Sequence, residues 1–176
     1  MENKQNIENQ ILERLNQHPE VPLFFQEVVV LITQAIDKLM LKVFRKDDYA
    51  VKYAVEPLLS GSGPLGELSV RLKLLFALGA LSREDYEDIE LFLALNESLS
   101  LEDVTMDYTD DEILGSIKML HCMGALPEMM RFEQPEDMVD KQLIELQKQR
   151  FRQMVKSSLV LSVTALITQI IETNVF

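Results

Sequence analysis

His121 and Cys122 stand side by side, and with His18 they are the side chains of this sequence best suited to metal or nucleophilic chemistry. A zinc-binding helix sets its two ligands four positions apart, so that both face one ion. Adjacent residues on a helix point to different faces instead, and His18 lies in another segment. The pair reads as part of a structural helix with a small buried thiol at Cys122. Carboxylates are abundant, 29 in all, but acid/base work needs two of them in contrasting environments within a cleft, and no spacing singles out such a pair. The cluster Gly61-Ser62-Gly63-Pro64-Leu65-Gly66 could cradle a phosphate. A P-loop, however, closes on Gly-Lys-Ser/Thr, whereas Gly66 is followed by Glu67 and no hydrophobic strand comes before it. The cluster reads as a turn, with Pro64 at the first position of a helix. Catalytic residues, metal ligands and cofactors are all expected to be absent, and the chain is not expected to be an enzyme.

Binding chemistry is the remaining option, and charge decides where to look. The net charge is −12, yet the segment from Glu84 to Glu112 alone holds twelve acids and no Lys or Arg. The other residues balance, 17 acids (29 − 12) against 17 bases. Nucleic-acid binding requires a positive face. Residues 72–95 have the outline of a helix-turn-helix, but the helix that would enter the major groove begins Ser82-Arg83-Glu84-Asp85-Tyr86-Glu87-Asp88-Ile89-Glu90. Five acids against one arginine would be repelled by phosphates. Two basic clusters lie elsewhere. Lys38, Lys42, Arg45, Lys46 and Lys52 surround Asp47, Asp48 and Tyr49; Lys148, Arg150, Arg152 and Lys156 sit near the C-terminus. Each reads most simply as a solvated helix face with local ion pairs. The alternative is a docking patch for an acidic or phosphorylated partner. Lys148, Arg152 and Lys156 are spaced four apart and share a face.

These side chains must be carried by helices. Ile7, Ile11, Leu12 and Leu15 outline a short amphipathic helix that stops near His18-Pro19. Phe24, Val28, Leu31, Ile32, Ala35, Ile36, Leu39 and Val43 form the core stripe of a second, following Pro22. Asp47 can cap a third, running through Tyr49, Tyr53 and Val55, with Pro57 ending or kinking it. Leu65–Leu78 should be helical and close at Gly79; Ser82 should start the next, reaching Leu95 or Leu99. A polar loop from Ser98 to Thr109 leads to Thr109-Asp110-Asp111-Glu112, a fit to a capping box, whose helix runs to about Ala125. A second loop covers Pro127–Pro135. The longest helix, roughly Glu136–Thr173, carries the apolar row Phe151, Val155, Leu159, Val163, Leu166 and Ile170. The expected fold is all-α, a single-domain bundle of about seven helices over residues 1–176.

The 47% hydrophobic content suits a folded core. One cysteine suits a reducing compartment, no secretory signal opens the chain, and the 15 uncharged residues between Lys156 and Glu172 fall short of the about 20 apolar ones a span needs. A cytoplasmic protein with no membrane segment is expected.

The run Val43-Phe44-Arg45-Lys46-Asp47-Asp48-Tyr49-Ala50-Val51-Lys52-Tyr53-Ala54-Val55-Glu56-Pro57-Leu58-Leu59 resembles the signature of the mannitol operon repressor (MtlR) family. The likeness continues through Gly63-Pro64-Leu65-Gly66, Leu68–Leu74, Tyr86-Glu87-Asp88, Thr109–Gly115, Leu120-His121-Cys122 and Met154–Ser157. It covers nearly the whole chain from about Ile11. The resemblance implies an all-helical transcriptional repressor of genes for mannitol uptake and breakdown, without a standard DNA-binding motif and without catalytic residues to carry over. Repression through a protein partner, another regulator or a phosphotransferase-system component, is expected. The candidate partner-binding residues are Arg45, Lys46, Asp47, Asp48, Tyr49, Lys52, Arg71 and Lys73. Direct phosphate contact through Lys148, Arg152 and Lys156 is the alternative; a homo-oligomer is compatible with either.

Overall fold

The computed structural model describes residues 2–44, 48–101, 106–126 and 138–175, and those residues are all-α. Helix α1 spans Glu2–Asn16 and α2 Val21–Val43; α3 (Asp48–Ala50), a π-helical segment (Val51–Val55) and α4 (Glu56–Leu59) follow one another without a break. Then come α5 (Leu68–Ala77), α6 (Arg83–Leu101), α7 (Asp111–Met119) and α8 (Met138–Glu172). With the continuous stretch 48–59 taken as one, the described residues make seven helices, as the sequence patterning leads one to expect.

Helix α2 is the axis. Pro22 sits in its first turn, where a missing N–H costs nothing, and from there Phe24, Phe25, Val28, Leu31, Ile32, Ala35, Ile36, Leu39 and Met40 are buried. The Val28–Ile32 run is helical despite its β-branched content, because its apolar positions continue a stripe that packs on both α6 and α8. Phe24 and Phe25 meet edge to face at 5.6 Å, and Phe25 reaches Phe92 of α6 at 6.2 Å. The second half of α8 is the other core element. Its row Phe151, Val155, Leu159, Val163, Leu166 and Ile170 is buried as expected, against α1 and α2. By length and composition the part Lys141–Glu172 could cross a membrane, but half of its most apolar window is buried inside the protein, which is how a core helix passes the same test. Lys42 of α2 donates to the carbonyls of Ile171 and, at 3.0 Å, Thr173, satisfying acceptors that the end of α8 leaves open.

Gly79 closes α5 as expected. It adopts φ 72°, and the N–H groups of Ala80 and Gly79 reach back to Leu75 (2.9 Å) and Phe76 (3.0 Å), the paired bonds of a Schellman end. Ser82 caps α6 through its hydroxyl, which accepts the Asp85 N–H at 3.0 Å. Phe76 stacks on Tyr86 at 4.8 Å across the α5–α6 corner.

Four boundaries differ from the sequence reading. Pro57 does not end its helix; the backbone widens into the π-helical segment just before it and goes on to Leu59, as helices do around an insertion they must absorb. Pro64 starts no helix. Leu65 N–H bonds back to Leu58 (2.9 Å) and Gly66 to Gly63 (3.0 Å), so the chain stays in a compact turn until Leu68. Helix α6 extends to Leu101, into the stretch assigned to a loop. Helix α7 stops at Met119, well before Ala125, and begins without the expected capping box: Asp110 holds the N-cap position and makes no side-chain cap bond, while the Thr109 hydroxyl turns to Asp107 at 2.9 Å.

Candidate functional site

The stretch 48–59 presents the most exposed aromatic side chains among the described residues. Tyr49 is 74% and Tyr53 61% exposed, four residues apart on one face, with ring centroids 4.6 Å from each other. The Lys52 ammonium lies 5.6 Å from the Tyr53 ring centroid, within reach of a cation–π attraction. Val55, on the opposite face, is buried and anchors the stretch.

Arg71 braces this region. Its side chain is 12% exposed, and its guanidinium donates to the carbonyls of Leu65 (2.6 Å), Gly66 (3.0 Å) and Leu59 (3.1 Å), and to the carboxylate of Asp37 on α2. Planar, multiply donating and permanently charged, it gathers the 59–66 turn into one cage. The cage has room only for glycine at two points: a Cβ at Gly63 would lie 2.2 Å from the Pro57 oxygen, and one at Gly66 2.6 Å from that of Ser60. Close approach, not phosphate binding, accounts for these glycines.

The candidate partner-binding residues therefore occupy different settings. Tyr49 and Lys52 are exposed on the 48–59 stretch, and Lys73 is exposed on α5; Arg71 lies beneath, holding carbonyls. Arg45, Lys46 and Asp47, and the side chain of Asp48, lie outside the described residues. In the second basic cluster Lys148 is exposed, whereas Arg152 carries Asp107, its Nε 2.6 Å from the carboxylate. Burial works against the charge of Asp107, but the bonds from Arg152 and Thr109 outweigh it and hold the acid below its ordinary range. Lys156 is partly buried, and desolvation lowers its pKa.

A site that sequence reasoning missed lies where α6 faces the turn after α7. Asp88 is 2% exposed, and its two carboxylate oxygens each accept one backbone N–H, from His121 and from Cys122, both at 2.7 Å. Those bonds stop α7, so His121 and Cys122 stand in a turn rather than in the helix expected for them. The His121 ring meets Glu87 at 2.9 Å; Glu87 in turn is held below the usual carboxylate range, first by Arg83 and then by His121. Burial and the neighbouring Asp88 carboxylate push the Cys122 thiol up, which keeps it protonated and poorly nucleophilic. Among the described residues no three His, Cys, Asp or Glu side chains are grouped to hold a metal ion. Beyond the His121-Cys122 pair itself, the sequence signal for this site is an acid at position 88 that falls on the apolar side of α6, next to Ile89 and Phe92.

Fold and surface together define an all-helical bundle that displays a braced, aromatic and cationic helix to its surroundings. The chain belongs to the mannitol repressor family, which it matches over residues 7–171, in agreement with the resemblance of the Val43–Leu59 run. It is 52% identical over 170 residues to the mannitol operon repressor of Escherichia coli (strain K12), a match spanning 97% of this chain and 85% of that protein. It is 29% identical over 164 residues to fumarase E of the same organism, covering 93% and 96% of the two chains. Among solved structures it superposes on the repressor in the MtlR–HPr complex from Escherichia coli with a TM-score of 0.88 and 52% identity, over 94% of this chain and 99% of that one. With YggD of Shigella flexneri, described as a possible transcriptional regulator, the TM-score is 0.72 at 27% identity, over 93% and 98%. The family is thus named for regulation, and an enzyme stands among its more distant relatives.

Proposed function

We propose that this chain is a cytoplasmic regulator, one domain over residues 1–176, that lowers expression of mannitol uptake and catabolism genes by binding a protein of the phosphotransferase system rather than by reading DNA itself. The observation that carries this reading is the match, across nearly the full length of both chains, to a repressor solved in complex with HPr. The surface assigned to the partner is that of Arg45, Lys46, Asp47, Asp48, Tyr49, Lys52 and Lys73, with Arg71 fixing its shape from below. Exposed tyrosines and arginines are the side chains that dominate binding energy at protein interfaces. Direct phosphate contact by Lys148, Arg152 and Lys156 takes second place, because Arg152 is engaged by Asp107 and Lys156 is partly desolvated.

The test is a titration of purified HPr into the purified chain by calorimetry. Saturable binding is expected, and it should fall at least about tenfold, a loss of about 1.4 kcal/mol, in the Arg45→Glu/Lys46→Glu and Tyr49→Ala/Tyr53→Ala variants. Unchanged binding in both variants removes this surface from the proposal. A gel shift on mannitol-operon promoter DNA, with and without lysate, separates partner-dependent from direct repression. We further propose that the chain is not an enzyme, since the buried Asp88 is taken up by two backbone N–H groups and the Cys122 thiol beside it is pushed up and kept protonated; measurable hydration of fumarate by the purified protein would overturn that.

A further inference from the structure

The start of α6, the turn at His121-Cys122 and the C-terminal part of α8 line an open recess of about 360 Å³, within the roughly 300–1,000 Å³ of small-molecule sites. We propose that this recess binds a small neutral polyol. The inference goes beyond the partner-binding reading and does not depend on it.

The chemistry of the walls makes the selection. Ala165 and Leu166 of α8 supply an apolar floor, the kind of surface that meets carbon-bound hydrogens. Around it stand acceptors, the carboxylates of Glu84, Asp85 and Asp88, and groups that donate as well, Ser162 and Gln169. A hydroxyl both donates and accepts, so a polyol can satisfy such a mixed lining where a pure donor or a pure acceptor cannot. No Lys or Arg lines the recess, so a phosphate or carboxylate ligand would enter against the acids without a compensating cation. A cationic ligand, a pure donor, would pair with the acids but leave the Gln169 amide and the apolar floor unmatched. The charge of Asp88 is already spent on two backbone N–H groups. Glu84 and Asp85 both lie in the first turn of a 19-residue helix, whose positive end offsets roughly half a charge between them. The Gln169 amide lies 3.1 Å from Asp85 and closes one side of the recess, where it can exchange that contact for a ligand hydroxyl.

The proposal is tested by titrating the purified full chain with D-mannitol, a hexitol phosphate and 1,4-diaminobutane, using calorimetry and ligand-observed NMR. Saturable binding of the hexitol is expected, with the phosphate and the diamine weaker. Ala165 is exposed, so Ala165→Leu should fill the floor without disturbing the fold and weaken the hexitol at least about tenfold. Gln169→Ala should weaken it less, with the melting temperature of both variants near that of the parent. No saturable hexitol binding, affinity unchanged in Ala165→Leu, or preference for the diamine would each overturn the proposal. Because HPr is absent from this titration, its failure is distinct from a failure of the partner-binding reading.

Discussion

Replacing Asp88 by alanine removes the acceptor for two amides at once, those of His121 and Cys122, each held at 2.7 Å. A buried donor left without a partner costs about 1–3 kcal/mol. Both bonds are only partly buried, which places each in the lower half of that range, so the pair should cost about 2–4 kcal/mol. Against a total stability of about 5–15 kcal/mol this is a large fraction, equivalent to a fall in melting temperature of roughly 5–15 °C for a chain of this size. Asp88→Asn retains one oxygen but turns an NH2 donor toward the other N–H; it should lose about half as much. Glu84→Gln removes the same charge from an exposed position nearby and should change stability little. Urea unfolding followed by circular dichroism measures all three, and amide exchange at residues 121 and 122 reports the bonds directly. If Asp88→Ala unfolds within about 0.5 kcal/mol of the parent, a difference typical of surface substitutions, and both amides stay protected, the capping role assigned to Asp88 is wrong.

Further outcomes can be checked with the same unfolding assay. The hydroxyls of Tyr108 and Thr168 are buried without a hydrogen-bond partner among the described residues, so Tyr108→Phe and Thr168→Val should each be neutral or stabilising by about 1 kcal/mol; a clear loss would show that each had a partner. Gly63→Ala should destabilise by about 2 kcal/mol or more because its Cβ meets carbonyl oxygens, whereas Gly61→Ala, in open space, should stay within about 1 kcal/mol of the parent. Arg152→Met should raise the pKa of Asp107. Because that acid titrates lower in the folded protein than in the unfolded chain, its contribution is present above the unfolded value, about pH 4, and is lost as pH falls through the folded one. The variant should therefore lose less stability than the parent on acidification in that window, and equal losses would mean that the Asp107–Arg152 pair contributes nothing.

Periodicity made the helices legible. The stripes of α2 and α8 are long, and each buried position repeats the same geometric test, so Val28–Ile32 is placed correctly in spite of its strand-like composition. What stayed hidden depends on contacts between distant parts of the chain. Arg71 looks like a surface cation until the carbonyls of Leu59, Leu65 and Gly66 are seen to converge on it. The true end of α7 is decided by Asp88, some 33 residues away, so the local pattern through Ala125 carries no trace of it. Pro64 follows the rule for a helix start, but the close approach of Gly63 and Gly66 to the preceding carbonyls keeps the turn compact for four more residues. The capping box at Thr109 failed by a similar competition, its hydroxyl taken by Asp107.

The acidic stretch gains a different meaning once its members are located. Glu87 serves Arg83 and His121, Asp88 two amides, Asp85 the Gln169 amide, and Asp107 serves Arg152. Several of the twelve acids thus tie α6 and the 106–110 turn to α7 and α8 rather than repel as a free field. Glu84, Glu90 and Glu97 are exposed on α6, the helix in the position of a groove reader. Its apolar side is committed, since Ile89 and Phe92 are fully buried where α6 packs on α2. The face left to meet DNA carries Glu84 and Glu90, both exposed. Turning the helix over would uncover the core, and leaving it in place would set carboxylates against phosphates. A helix pinned on one side and acidic on the other cannot read a groove. The regulation proposed for this chain therefore calls for another of its surfaces, and the helix bearing Tyr49 and Tyr53 is the one proposed to meet a partner.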